Sequence, residues 1–258
     1  MGNKNDYLPT KYWFENGTLH KAFFEYEEWA ENPRGLSEPL SVIVNASRYG
    51  LCDQSDIKCN DIEEWLISET GINEEWYWNN RKRYGGIEGL IYKFIKEKCV
   101  AFEYLTVYDH SGITVSCGYC RGWDYSNIGF VYVPKDSAKV KDYRKGHTKK
   151  ETEEWASKNI HAEIHELDQW CRGDVYCMVE EVYDDEAQKW EMADSLGMIW
   201  LDDETTQKER ECAISYIKDY FSGKAELFDE EIINKALESN TLDLLQGQKV
   251  FDFMEVSA

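Results

Sequence analysis

No stretch of 18 apolar residues occurs in the 258-residue sequence, and its first segment, MGNKNDYLPTKYW, has no apolar run of the kind that directs secretion. Membrane spanning and export are therefore not expected. Position 6 is Asp6, where the myristoylation pattern beginning Met1-Gly2 needs Ser or Thr, so a lipid anchor is not expected either. The expected compartment is the cytoplasm. Positive charge is scarce: 29 Lys and Arg stand against 50 Asp and Glu, leaving a net charge of −21. Binding of nucleic acid or of an anionic membrane through the whole surface would then have the wrong electrostatic sign. The favoured partner is a cationic protein surface, with a homodimer left open.

Familiar catalytic and metal signatures are also missing. There is no G-x-S-x-G elbow that would make Ser111 a nucleophile. His161 and His165 lie four apart with Asp168 one helical turn further, but HAEIH lacks the Glu that follows the first His in zinc proteases. Cys117 and Cys120 have zinc-ligand spacing without a second pair at a finger-like distance; Cys171 and Cys177 could join them only through the fold. No cofactor is expected. The eight cysteines read as reduced thiols used as small apolar groups.

What is present is enough to fold. Hydrophobic residues make up 42% and include 10 Trp and 17 Tyr, too much bulky apolar material for a disordered polyelectrolyte. Aromatic runs flank Asn16-Gly17 and predict a hairpin within 11–30; Leu40–Val44 predicts a buried strand. Helices are expected at 60–69 (capped by Asn60 or Asp61), at 86–98 despite Gly89, and from a Thr148/Glu151 capping box to about Cys171. Residues 99–108, 112–117 and 127–133 read as successive strands, followed by strands at 175–183 and 197–201 and helices at about 205–222 and 228–246. The expected fold is α+β, an antiparallel sheet with several amphipathic helices, in regions 1–98 and 99–258 or as one continuous domain. Charge is uneven: net −9 over 1–75, +7 over 76–150 and −19 over 151–258.

The block YDHSGITVS at 108–116, Trp123-Asp124 and GFVYV at 129–133 resembles an uncharacterised family associated with phages and plasmids. Further matches are Glu163, Asp168-Gln169, Gly173-Asp174-Val175-Tyr176 and Asp194-Ser195. That resemblance supplies context and no activity. Asn16, Gly17, Leu19 and His20 are similar to the opening hairpin of ArdA-type antirestriction proteins, although Lys21 replaces a Gly and Phe23 or Phe24 a Trp. The likeness implies an acidic inhibitor of type I restriction enzymes.

Two functional expectations follow. The first is a phage or mobile-element counter-defence protein, an acidic inhibitor that mimics DNA toward a host nucleic-acid-processing enzyme. Its contacts would be Glu180, Glu181, Asp184, Asp185, Glu186, Asp202, Asp203, Glu204, Asp229, Glu230 and Glu231. The alternative is a small metal-dependent or acid–base hydrolase or transferase built on Asp109, His110, Asp124 and Asp174, with Asp109-His110 acting as general base. Against it, Asp109-His110-Ser111-Gly112 also reads as a polar turn whose side chains bond backbone amides. The thiol reading predicts that the denatured protein, assayed without reductant, titrates eight free thiols; fewer, with no bound metal to account for them, would contradict it.

Overall fold

The computed structural model describes residues 8–36, 38–45, 50, 51, 53, 62–110, 112–201, 204–239, 241, 242 and 245. The expected helix caps Asn60 and Asp61 lie outside the described residues. The chain forms two compact units. One, the split unit, joins Met1–Ala30 to Gly173–Ala258; the other, the inserted unit, is Glu31–Arg172. The expected division at 98/99 falls inside a core instead. Helix ends at Lys98 and strand begins at Cys99 with no linker, and Phe94 and Cys99 share one apolar cluster.

The inserted unit is a three-layer arrangement. Its elements are α1 (Pro33–Leu36), β3 (Val42–Asn45), α2 (Ile62–Thr70), α3 (Glu74–Tyr84), α4 (Gly86–Lys98), β4 (Cys99–Asp109), β5 (Ile113–Cys117), β6 (Tyr125–Pro134), α5 (Ala138–Tyr143) and α6 (Lys149–Arg172). The sheet is antiparallel in the order β3-β6-β4-β5. Period-two alternation divides its side chains between two cores. Ile43, Leu105, Val107, Val131 and Val133 meet Ile160, Ile164 and Leu167 of α6 on one face. Val44, Phe130 and Tyr132 meet Leu66 of α2 and Leu90, Ile91 and Phe94 of α4 on the other. Gly89, which weakens α4 as a helix former, is required sterically: a Cβ there would lie 2.2 Å from the Tyr84 carbonyl oxygen.

Polar side chains fasten α6 to this sheet. Arg34, only 6% exposed, donates from Nε to Asp53 at 2.7 Å and from Nη1 to Glu163 at 3.4 Å. Glu163 also accepts the backbone N–H groups of Leu40 at 2.7 Å and Ser41 at 3.1 Å, and the Ser41 hydroxyl. Asp53 accepts the N–H of Ile43 at 2.7 Å. Further along α6, Asp168 accepts the N–H of Val115 at 2.7 Å and pairs with Arg172 at 3.1 Å.

The split unit contains β1 (Lys11–Glu15), β2 (Thr18–Tyr26), β7 (Tyr176–Asp184), β8 (Lys189–Ile199), α7 (Thr206–Ile217), a π-helical turn (Lys218–Ser222), β9 (Phe228–Asp229) and α8 (Glu230–Glu238). Its antiparallel sheet runs β8-β7-β2-β1-β9. The hairpin expected at Asn16-Gly17 is present, with φ of 49° and 90°. Trp13, Ala22, Phe24, Tyr176 and Met178 pack with Ala213 and Ile217 of α7. Tyr12 and Leu19 pack with Ile233 of α8. The strand expected at 197–201 is instead the eleven-residue edge strand β8, which begins at Lys189.

The two antiparallel sheets and the helices packed on them agree with the expected α+β class. Removing Glu163 would leave the backbone N–H groups of Leu40 and Ser41 without their acceptor, while Arg34 keeps its pairing with Asp53. Glu163→Ala should therefore cost about 3 kcal/mol, read as a lower denaturant midpoint with unchanged slope. A loss under about 0.5 kcal/mol, the range of ordinary surface changes, would show that the network does not hold α6.

Candidate functional site

The acidic residues expected to meet a partner all belong to the split unit, and the structure separates them by what they already contact. Glu180 accepts from His20 Nδ1 at 2.8 Å, with both side chains 13% exposed. His20 is also stacked on Trp13, ring centroids 5.3 Å apart. Glu181 pairs with Lys21 at 2.5 Å, and the same ammonium lies 4.5 Å from the Trp190 ring centroid. Strand pairing causes both contacts, because β2 and β7 place Lys21 opposite Glu181 and Ala22 opposite Glu180. Glu180 is therefore a partly buried hydrogen-bond acceptor of His20 and Glu181 a partly buried member of an ion pair, unlike the solvated contacts that the sequence suggested.

Asp184 is used within its turn, accepting the N–H groups of Glu186 at 2.9 Å and Ala187 at 3.0 Å. That bond shapes the β7–β8 hairpin and leaves Asp185 and Glu186 exposed at its tip. Glu204 pairs with Lys208, Asp229 with Lys11, and Glu231 with Lys235 at 2.6 Å. Glu230 is exposed in the first turn of α8. Asp202 and Asp203 lie outside the described residues. The sequence reading omitted two acids exposed on β8: Glu191, which pairs with Lys189 at 2.7 Å, and Asp194, which accepts the Ser195 N–H at 2.8 Å. The expected strand at 197–201 stopped short of them because neither face of the preceding residues carries a continuous apolar row.

The hydrolase residues do not assemble within either unit. Asp109 and His110 are exposed at the end of β4, and the Asp109 N–H donates to the Asp124 carbonyl at 3.2 Å. His110 donates its N–H to Gly112 O at 3.2 Å, the backbone pattern of a turn, and its ring faces Tyr108. Ser111 lies outside the described residues. Asp174 is buried and belongs to the split unit, whereas the other three belong to the inserted unit.

No known protein family model, curated protein or solved structure matches this chain.

Among the described residues, no three His, Cys, Asp or Glu side chains converge as a metal site requires. His161 is exposed and lies 3.8 Å from Glu103; His165 is exposed; Asp168 is engaged with Val115 and Arg172. Burial, with Glu103 nearby, pushes the Cys117 thiol up to about 12, and Cys120 is a free thiol.

Within the acidic unit, a depression of about 320 Å³ is lined by Tyr12, Lys21, Phe23, Glu25 and Glu230. Burial first, then Glu230 and Glu181, pushes the Tyr12 phenol up to about 12. The folded state thus keeps its proton while an unfolded chain loses it near pH 10, so this stability is complete below about pH 10 and is lost as pH rises toward 12. Tyr12→Phe should make the alkaline decline in denaturant midpoint shallower by up to about 1 kcal/mol per pH unit. Parallel decline in variant and parent would show that Tyr12 is not held neutral.

Proposed function

We propose that this protein is a counter-defence inhibitor whose split unit acts as an acidic decoy for the cationic groove of a nucleic-acid-processing enzyme. The observation carrying the reading is charge segregation. The split unit has 27 acidic and 10 basic side chains, net −17, and the inserted unit has 23 and 19, net −4. Duplex DNA carries one charge per about 1.7 Å, so 17 net charges equal the phosphates of about 29 Å of duplex. A compact unit of about 116 residues is on the order of 35 Å across, so its mean charge per length approaches that of DNA.

The exposed acids also lie toward both edges of the sheet. Asp185, Glu186, Glu191 and Asp194 follow the β7–β8 hairpin, while Glu230 begins α8 beyond β9. Four strand spacings of about 4.8 Å separate those edges by roughly 19 Å. A row of exposed acids at the β8 edge, with Glu230 at the other, suits a groove that receives two phosphate backbones. The likeness of Asn16, Gly17, Leu19 and His20 to the ArdA-type hairpin supports restriction enzymes as the target class, and the likeness at 108–133 supports an origin in mobile elements.

A restriction-protection assay tests the reading. Asp185→Asn, Glu186→Gln, Glu191→Gln and Asp194→Asn combined should weaken inhibition about tenfold or more, mainly through slower, less salt-sensitive association. His110→Ala should leave inhibition intact. Loss of function in folded His110→Ala, with the neutralised variant fully active, would reject the decoy in favour of catalysis, where loss of a general base costs about 10²–10⁴ in rate.

A further inference from the structure

The inserted unit carries the opposite kind of surface at the knuckle between α5 and α6. Residues 139–150, KVKDYRKGHTKK, contain six Lys or Arg and one acid. Lys139, Lys141, Arg144, Lys145, Lys149 and Lys150 are all exposed. Lys145 pairs with Asp142 at 3.0 Å, while Lys149 and Lys150 approach Glu153 and Glu154 only at 3.6 and 3.7 Å. Exposed pairs of that length are worth little and exchange readily for phosphate. The start of α6 is already occupied, since Glu151 accepts the Thr148 N–H at 2.7 Å and its hydroxyl at 2.8 Å. An anion would therefore be met by side chains rather than by the helix end.

A stack of rings rises through these cations. Tyr143 lies 4.2 Å from Trp155 and 3.8 Å from His147, with interplanar angles of 6° and 8°. Two rings that close and that parallel to a third cannot share one of its faces, so Tyr143 is sandwiched between them. Trp155 packs on the core, Tyr143 is half-buried and His147 is exposed, so the stack leads outward and ends on the outer face of His147. His147 Nδ1 donates to the Tyr143 carbonyl at 2.8 Å, which fixes the ring before any ligand arrives.

We propose that this knuckle binds single-stranded nucleic acid, with a base stacked on the outer face of His147 and the flanking phosphates held by Lys141, Arg144 and Lys145. Cations alone would equally suit an acidic protein, including the split unit of a second copy. The ring stack decides between them: a base offers a π face, and a carboxylate surface does not. A paired duplex base is stacked within its own helix, so the single strand is the form that fits. The inference is independent of the decoy reading. At about 0.15 M salt the screening length is about 8 Å, so the local cations outweigh distant acids.

Fluorescence anisotropy with the full chain and a labelled oligothymidine of about 12 nucleotides tests this, starting at about 50 mM salt. The parent should bind, and His147→Ala should weaken binding about tenfold while His147→Phe restores it. The combined Lys141→Ala, Arg144→Ala and Lys145→Ala variant should bind weakly and lose about 2 from the slope of log affinity against log salt, since each single-strand contact contributes about 0.7. Circular dichroism checks folding. No binding at low salt, or equal binding by the triple variant, would overturn the proposal. Tighter binding to a duplex of the same length with His147→Ala unaffected would also overturn it. So would self-association that the triple variant abolishes while no oligonucleotide binds, because the knuckle would then be docking on another copy.

Discussion

The Glu163 carboxylate is the constraint on which the rest of the chain depends. It binds Arg34, Leu40 and Ser41, near the point where the chain enters the inserted unit, from a position on the helix by which the chain leaves it. From Glu163 to Arg172 that helix advances only about 14 Å. Fastening entrance to exit shortens the loop that must close before β2 can find β7. For a structureless insertion of 142 residues, closure costs on the order of 4 kcal/mol before any contact is gained. An insertion that folds first and holds its ends together avoids most of that cost. Seven residue pairs between β2 and β7 then complete the split unit.

That pairing also settles the electrostatics. The partners on β2, His20 and Lys21, come from the first stretch of sequence, and the acids of β7, Glu180 and Glu181, from a stretch some 160 residues later. Partly buried carboxylates are costly without partners, so the register that matches them is stabilised and a one-residue slip is penalised twice, in charge and in which face is apolar. The inner acids of the split unit thus serve the fold, and only its outer acids are left for a partner.

How much of this was legible in the sequence follows from where burial is one-sided. Strands β4 to β6 and helices α4 and α6 were readable because their apolar residues recur at the period of the element, and Asn16-Gly17 marked its hairpin by local backbone chemistry. Helix α3 was not readable, because Tyr77 is its only buried residue and EEWYWNNRKRY carries no apolar stripe. Of strand β8 only the end at 197–199 was expected, for the related reason that an edge strand need not alternate. The unit boundaries and the partners of Glu163, Asp168 and Glu180 depend on long-range pairing, which leaves no periodic trace. Glu163 and Asp168, singled out in the sequence, are fasteners of α6 and so serve the fold.

The outer acids have a competing explanation in edge protection. Edge strand β8 presents unpaired backbone groups and the exposed Met192, and charges such as Glu191 and Asp194 discourage a second strand from adding there. Edge protection, however, needs charge only along the edge strands β8 and β9. The split unit also exposes Glu211 and Asp219 around α7, and Glu238 at the far end of α8, where no sheet edge requires guarding. Self-repulsion among 17 uncompensated charges destabilises the compact state, and the cores and ion pairs must offset it. A surface charge that the fold resists and the sheet edge does not need is best explained by what it attracts, which is why the acidic face, rather than the turn at His110, carries the functional reading.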